Sequence, residues 1–86
     1  MKRSKTIHNQ QYSDLISRLC LERKRLGLSQ SEVAKQLGMH QSEVSKIETL
    51  ERRVDVFEFK ELIRIYRIQE NAKLNKLVTD FMGLEK

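Results

Sequence analysis

The sequence predicts an all-α fold, a compact bundle of about five helices, on three observations. It has no proline and only three glycines, Gly27, Gly38 and Gly83, so little interrupts a helical run. Its apolar residues recur three and four positions apart, and no alternating run of strand length occurs. Helix-start signatures recur along it, and the tetrapeptide QSEV is written twice, at Gln30–Val33 and at Gln41–Val44.

In the first helix Tyr12, Leu15, Ile16, Leu19 and Leu26 form the apolar stripe, and Gly27 stops it. Arg23 falls on that stripe, so its guanidinium approaches the core and demands a partner. Ser29 and Glu32 form a capping box that starts a short second helix, with Val33, Ala34 and Leu37 inward and Gly38 at its end. A third helix follows Met39, with His40 at the cap position and Glu43 three residues on as the expected capping carboxylate; Val44 and Ile47 are its apolar side. Each QSEV is therefore a helix start, and the two copies are two short helices rather than a repeat architecture. Asp55 and Glu58 box the start of a fourth helix, whose inward side is Phe59, Leu62, Ile63 and Tyr66, with Val56 and Phe57 near its start. After Ile68–Asn71, a last helix carries Leu74, Leu77, Val78, Phe81 and Met82.

With 86 residues the chain is expected to be one domain, small enough to gain from a partner. Three segments are expected: a flexible basic arm over 1–10, a helical core over 11–68, and a C-terminal helix over 69–86 that either completes the core or pairs with a second copy. The net charge is +5, and seven basic residues precede Leu26 against only Asp14 and Glu22. Such a distribution fits a polyanion partner or a solvated basic face. Lys2, Arg3 and Lys5 are either a solubilising tail or a minor-groove contact. The start lacks the apolar segment of a secretion signal, and no apolar run reaches membrane-spanning length.

Cys20 is the only cysteine, so no internal disulfide can form and a reducing cytosol is the expected setting. His8 and His40 are the only histidines; there is no HExxH and no cluster of carboxylates. No metal, no cofactor and no enzymatic activity are expected. His40 is read as a cap or a phosphate neighbour, Cys20 as a small buried hydrophobe, and Tyr12 and Tyr66 as core edges.

A short helix, a tight glycine turn and a second short helix describe a helix-turn-helix unit. Here Ala34 is small where the helices approach, Gly38 occupies the turn, and Val44 and Ile47 face back inward. On these residues the stretch LGLSQSEVAKQLGMHQSEVSKIE resembles the phage-repressor (Cro-like) helix-turn-helix family of bacterial and phage transcriptional regulators. The likeness covers roughly Leu15 to Tyr66. It implies a lambda-repressor-like five-helix DNA-binding domain, nucleoid-associated in the cytoplasm, with the third helix in the major groove of double-stranded DNA.

The resemblance also implies residue roles. Gln30 matches a Gln that holds a phosphate and supports the next Gln; Gln41 matches one that reads an adenine edge. Ser42, Ser45 and Lys46 match groove-facing positions, and Arg23 and Glu48 match a structural ion pair. The physics agrees: an amide gives and accepts at once, as adenine N6 and N7 require, whereas Ser specifies weakly and Lys reaches a guanine or a phosphate. Arg52 and Arg53, in the loop after the third helix, are expected phosphate clamps, with Lys35 adding to them. Glu43 either caps its helix or accepts from a cytosine amine. Where the family has Gly, this chain has Leu50, and Leu disfavours the left-handed conformation by roughly 1–2 kcal/mol. The segment Thr49–Val54 is therefore expected to take another path, or the third helix to run longer.

The resemblance further implies a transcriptional regulator, a repressor, bound as a homodimer to a near-palindromic operator; because so small a chain has little other apolar surface, Leu62 to Met82 is expected to supply the interface. A second reading keeps the DNA module but makes the protein an antitoxin with a toxin partner, or a restriction-control regulator. A third, a protein-interaction module without DNA, is disfavoured by the polar set Gln30, Gln41, Ser42, Ser45 and Lys46, because such an interface wants apolar anchors.

Overall fold

The computed structural model describes residues 9–83. They form five α-helices and one 3-10 turn: α1 Gln10–Arg25, α2 Gln30–Leu37, α3 Gln41–Glu48, α4 Val56–Ile65, the 3-10 turn Ile68–Glu70, and α5 Ala72–Met82. No strand occurs among the described residues. The first eight residues of the expected basic arm lie outside them. Its last two belong to the first helix: the Asn9 side chain accepts from the Tyr12 amide at 2.8 Å, and Gln10 opens α1.

The helix ends follow local chemistry. Ser29 and Glu32 close a reciprocal capping box on α2, and Asp55 and Glu58 do the same on α4. At α3 the expected box does not form. His40 holds the cap position but makes no side-chain capping bond, and the Glu43 amide bonds instead to the His40 carbonyl at 2.9 Å. An imidazole there does not supply the oxygen that Ser29 and Asp55 supply, so the Glu43 carboxylate is left for another partner.

Leu50 overturns the expectation of a rerouted loop. It adopts the left-handed conformation at φ 68°, and α3 ends with Thr49 as its C-cap. The Glu51 amide bonds to the Lys46 carbonyl at 2.8 Å and the Leu50 amide to the Ile47 carbonyl at 3.1 Å, the two bonds of a Schellman closure. Those bonds, together with the packing of the half-buried Leu50 side chain against the core, offset the steric cost. Among the described residues, Arg67 is the other non-glycine residue in this region, at φ 51°.

One core joins all five helices. Leu15, Ile16 and Leu19 of α1 meet Val33 and Ala34 of α2, Val44 and Ile47 of α3, and Phe59 and Leu62 of α4. Ile68, expected in a plain connector, is fully buried at 0% exposure on the 3-10 turn. Leu74 and Val78 of α5 also lie in this core, so the last helix completes it. Val56 and Phe57 depart from the expected inward side of α4: they are 82% and 64% exposed, as is Met82 at 46%. The Tyr12 hydroxyl accepts from the Val54 amide at 3.1 Å, tying the loop before α4 back to α1.

Candidate nucleic-acid interface

Each of the two QSEV helices places a Gln at its first helical position. Helix α3 divides cleanly. Val44 and Ile47 are 3% and 4% exposed against the core, while Gln41, Ser42 and Lys46 face outward and Ser45 is half-buried.

Behind the outward face runs a chain of polar contacts. Arg23 donates from Nε to Glu48 Oε2 at 2.7 Å, and from a terminal nitrogen to Glu48 Oε1 at 3.0 Å. Its other terminal nitrogen donates to the Leu28 carbonyl at 2.8 Å, in the turn between α1 and α2. The two side chains are only 9% and 10% exposed. Gln30 Nε2 donates to Glu48 Oε1 at 2.8 Å, and Gln41 Nε2 donates to Gln30 Oε1 at 2.6 Å.

This chain has only one polarity. A carboxylate accepts and cannot donate, so Gln30 must turn its nitrogen to Glu48. Its oxygen then faces Gln41, which must answer with its own nitrogen. Gln41 is left with a free carbonyl oxygen and one free N–H, an acceptor beside a donor. Gln30 likewise keeps one N–H for an anion.

The electrostatics follow the contacts. Burial pushes the Glu48 carboxyl up, but hydrogen bonds from Arg23, Gln30 and Cys20 together with the Arg23 charge outweigh it, and the carboxyl lies below the ordinary range. Cys20 departs from the small buried hydrophobe expected: it is half-buried and its Sγ donates to Glu48 Oε1 at 3.4 Å, and burial, with the facing carboxylate, raises its thiol. Burial also raises the Tyr66 phenol.

The remaining expected contacts divide. Lys35 is exposed on α2. Arg53 is exposed, its guanidinium 5.5 Å from the centre of the Tyr12 ring. Arg52 is not a free clamp: it donates to Glu58 Oε1 and Oε2 at 2.9 and 2.7 Å, and its Nε lies 3.0 Å from Glu43 Oε1. Glu43 was expected as a cap or a base acceptor and Glu58 as a cap, but neither as a partner of Arg52, and Glu22 was not expected to take part. Glu22 is buried, bonded to Arg25 and Asn71. Helical spacing carries no signal for partners 6, 9 and 49 residues away; Arg25, three residues on, was in reach of it.

A profile described as helix-turn-helix matches residues 21–71, more than half of the chain. The chain belongs to the helix-turn-helix family. The match spans α2, α3 and the Arg23–Glu48 pair, so the geometry above is that of its DNA-binding unit. As a helix-turn-helix protein it carries a DNA-binding module of transcription regulators. No curated protein sequence matches the chain. Among the described residues, no helix is long and apolar enough to cross a membrane, and no three His, Cys, Asp or Glu side chains gather as a metal site.

Proposed function

We propose that this helix-turn-helix protein is a sequence-specific repressor that binds a near-palindromic operator as a homodimer, with α3 in the major groove. The observation that carries the reading is the fixed polarity of Glu48, Gln30 and Gln41, which leaves Gln41 an acceptor beside a donor on the outward end of α3. That pair matches N6–H and N7 of adenine. Ser42, Ser45 and Lys46 flank it as adaptable contacts. Gln30, at the amide end of α2, together with Lys35 and Arg53, supplies phosphate contacts.

Dimerisation is supported by surface left over after the core is built. Leu62, Leu74 and Val78, part of the region expected to form the interface, are used inside the monomer. Among the described residues, the exposed large apolar side chains are instead Val56 and Phe57 at the start of α4, Met82 at the end of α5, and Leu21 by itself on α1. Val56 and Met82 border one groove with Phe59, Ile63 and Val78.

Selection of sites from random duplexes tests the reading: a two-fold site with half-sites about one helical turn apart is expected. On that site Gln41→Ala is expected to lose about 1–3 kcal/mol and to relax one base position. Equal losses on the selected site and on scrambled DNA would refute the role of Gln41.

A further inference from the structure

Helix α3 carries a negative charge on a surface that must approach phosphates. Glu43 is its third residue, one position from Ser42, and its side chain is 33% exposed. It does not cap its helix; the side chain is turned to Arg52, with Nε 3.0 Å from Oε1. Arg52 is held in place from the other side, by two hydrogen bonds to Glu58, which in turn accepts from the Asp55 amide at 3.0 Å. The paired bonds to Glu58 fix the guanidinium plane and aim Nε at Glu43.

One cation thus serves two carboxylates, and the group of three carries a net negative charge. A phosphate would find no spare positive charge there. We infer that Arg52 is a positioning residue that holds the Glu43 carboxylate back from the groove, rather than a phosphate clamp. Restrained in this way, Glu43 leaves the outward face of α3 to the amide of Gln41, the hydroxyls of Ser42 and Ser45, and the ammonium of Lys46. Released, it is a carboxylate acceptor beside the base-reading positions, and a carboxylate accepts from the cytosine amine. Arg52 thereby sets which bases the helix tolerates without touching one. This inference rests on the DNA-reading role of α3 proposed above.

The test is site selection and a salt titration with wild type, Glu43→Gln, Arg52→Ala and the double variant, each confirmed folded by circular dichroism. Arg52→Ala is expected to weaken binding to the wild-type site about tenfold and to add cytosine preference at one position per half-site. The double variant, which removes the freed carboxylate, is expected to return to the wild-type base profile and to the wild-type dependence of log K on log salt. Glu43→Gln alone, which leaves the Arg52–Glu58 contact in place, is expected to stay within about threefold of wild type with an unchanged salt slope. A phosphate clamp behaves differently: the slope becomes shallower by about 0.9 in both variants lacking Arg52. That result, or a Glu43→Gln protein with a steeper slope, would overturn the inference. A wild-type protein that selects a site whose base profile is indifferent to Arg52 overturns it too. A wild-type protein that selects no site sinks the DNA-reading role first, and the inference with it.

Discussion

Glu48→Ala tests the frame of the DNA-binding unit most directly. The substitution removes a carboxylate that accepts from Arg23 at 2.7 and 3.0 Å and from Gln30 at 2.8 Å, and leaves a guanidinium that is nine-tenths buried without its counter-charge. Breaking a buried pair by deleting one partner costs about 3–5 kcal/mol. Against about 4–13 kcal/mol of total stability for 86 residues, that ranges from about a quarter of it to enough to unfold the chain. With a urea dependence of about 1 kcal/mol per molar, near the low end for small proteins, the unfolding midpoint falls by about 3–5 M. Urea titration followed by far-ultraviolet circular dichroism measures this. Glu61→Ala, which breaks an exposed contact to Arg64, is the control and is expected to shift stability by less than about 1 kcal/mol. Replacing both partners by apolar residues, Arg23→Met with Glu48→Leu, is expected to recover most of the loss, since neither charge is then stranded. A Glu48→Ala loss no larger than that of the Glu61 control would refute the claim that this pair is desolvated and structural.

Other predictions follow from the same geometry. Arg67 occupies the left-handed region at φ 51° with a side chain 66% exposed, so Arg67→Gly is expected to stabilise by about 0.5–1 kcal/mol, read as a rise in melting temperature. The carboxyls of Glu22 and Glu58 are lowered chiefly by hydrogen bonds from Arg25 and Arg52; at Glu48 burial opposes the shift, and the bonds from Arg23, Gln30 and Cys20 prevail. Each group thus has a folded value below its unfolded one. Their contribution is fully present above the unfolded carboxyl value of about 4.3 and is lost as pH falls through the lowered folded values. Urea titrations between pH 7 and pH 3 are expected to show this decline, and Glu48→Gln is expected to flatten it. Phe57→Glu alters a side chain already 64% exposed, so it is expected to leave the unfolding free energy within about 0.5 kcal/mol of wild type while abolishing cooperative two-site binding in sedimentation and gel-shift measurements.

Much of the fold was legible in local chemistry. The boxes at Ser29 and Asp55, the stop at Gly27 and the inward positions Val44 and Ile47 depend on residues within a few positions of one another, and sequence spacing reports such contacts directly. Arg23 and Glu48 were legible for a different reason, since each charge stood on an apolar stripe. What spacing could not carry was tertiary. Leu50 takes the conformation glycine would take because hydrogen bonds and core packing override its propensity. Glu43 looked like a copy of Glu32, but His40 does not cap as Ser29 does, and the carboxylate found Arg52 across the loop. Val56 and Phe57 fell outside the core because the helix phase turns them to solvent, although apolar character alone suggested the reverse.

The Arg23 cluster touches α1, the α1–α2 turn, α2 and α3 at once, through Leu28, Gln30 and Glu48. Helices α2 and α3 have only eight residues each, too short to persist in water by themselves. Neither can therefore come loose alone: releasing α3 strands the Arg23 charge, and releasing α2 takes Gln30 from Glu48 and uncovers Val33 and Ala34. Amide protons along both should exchange with deuterium at one shared rate, set by a single joint opening rather than by fraying from each end.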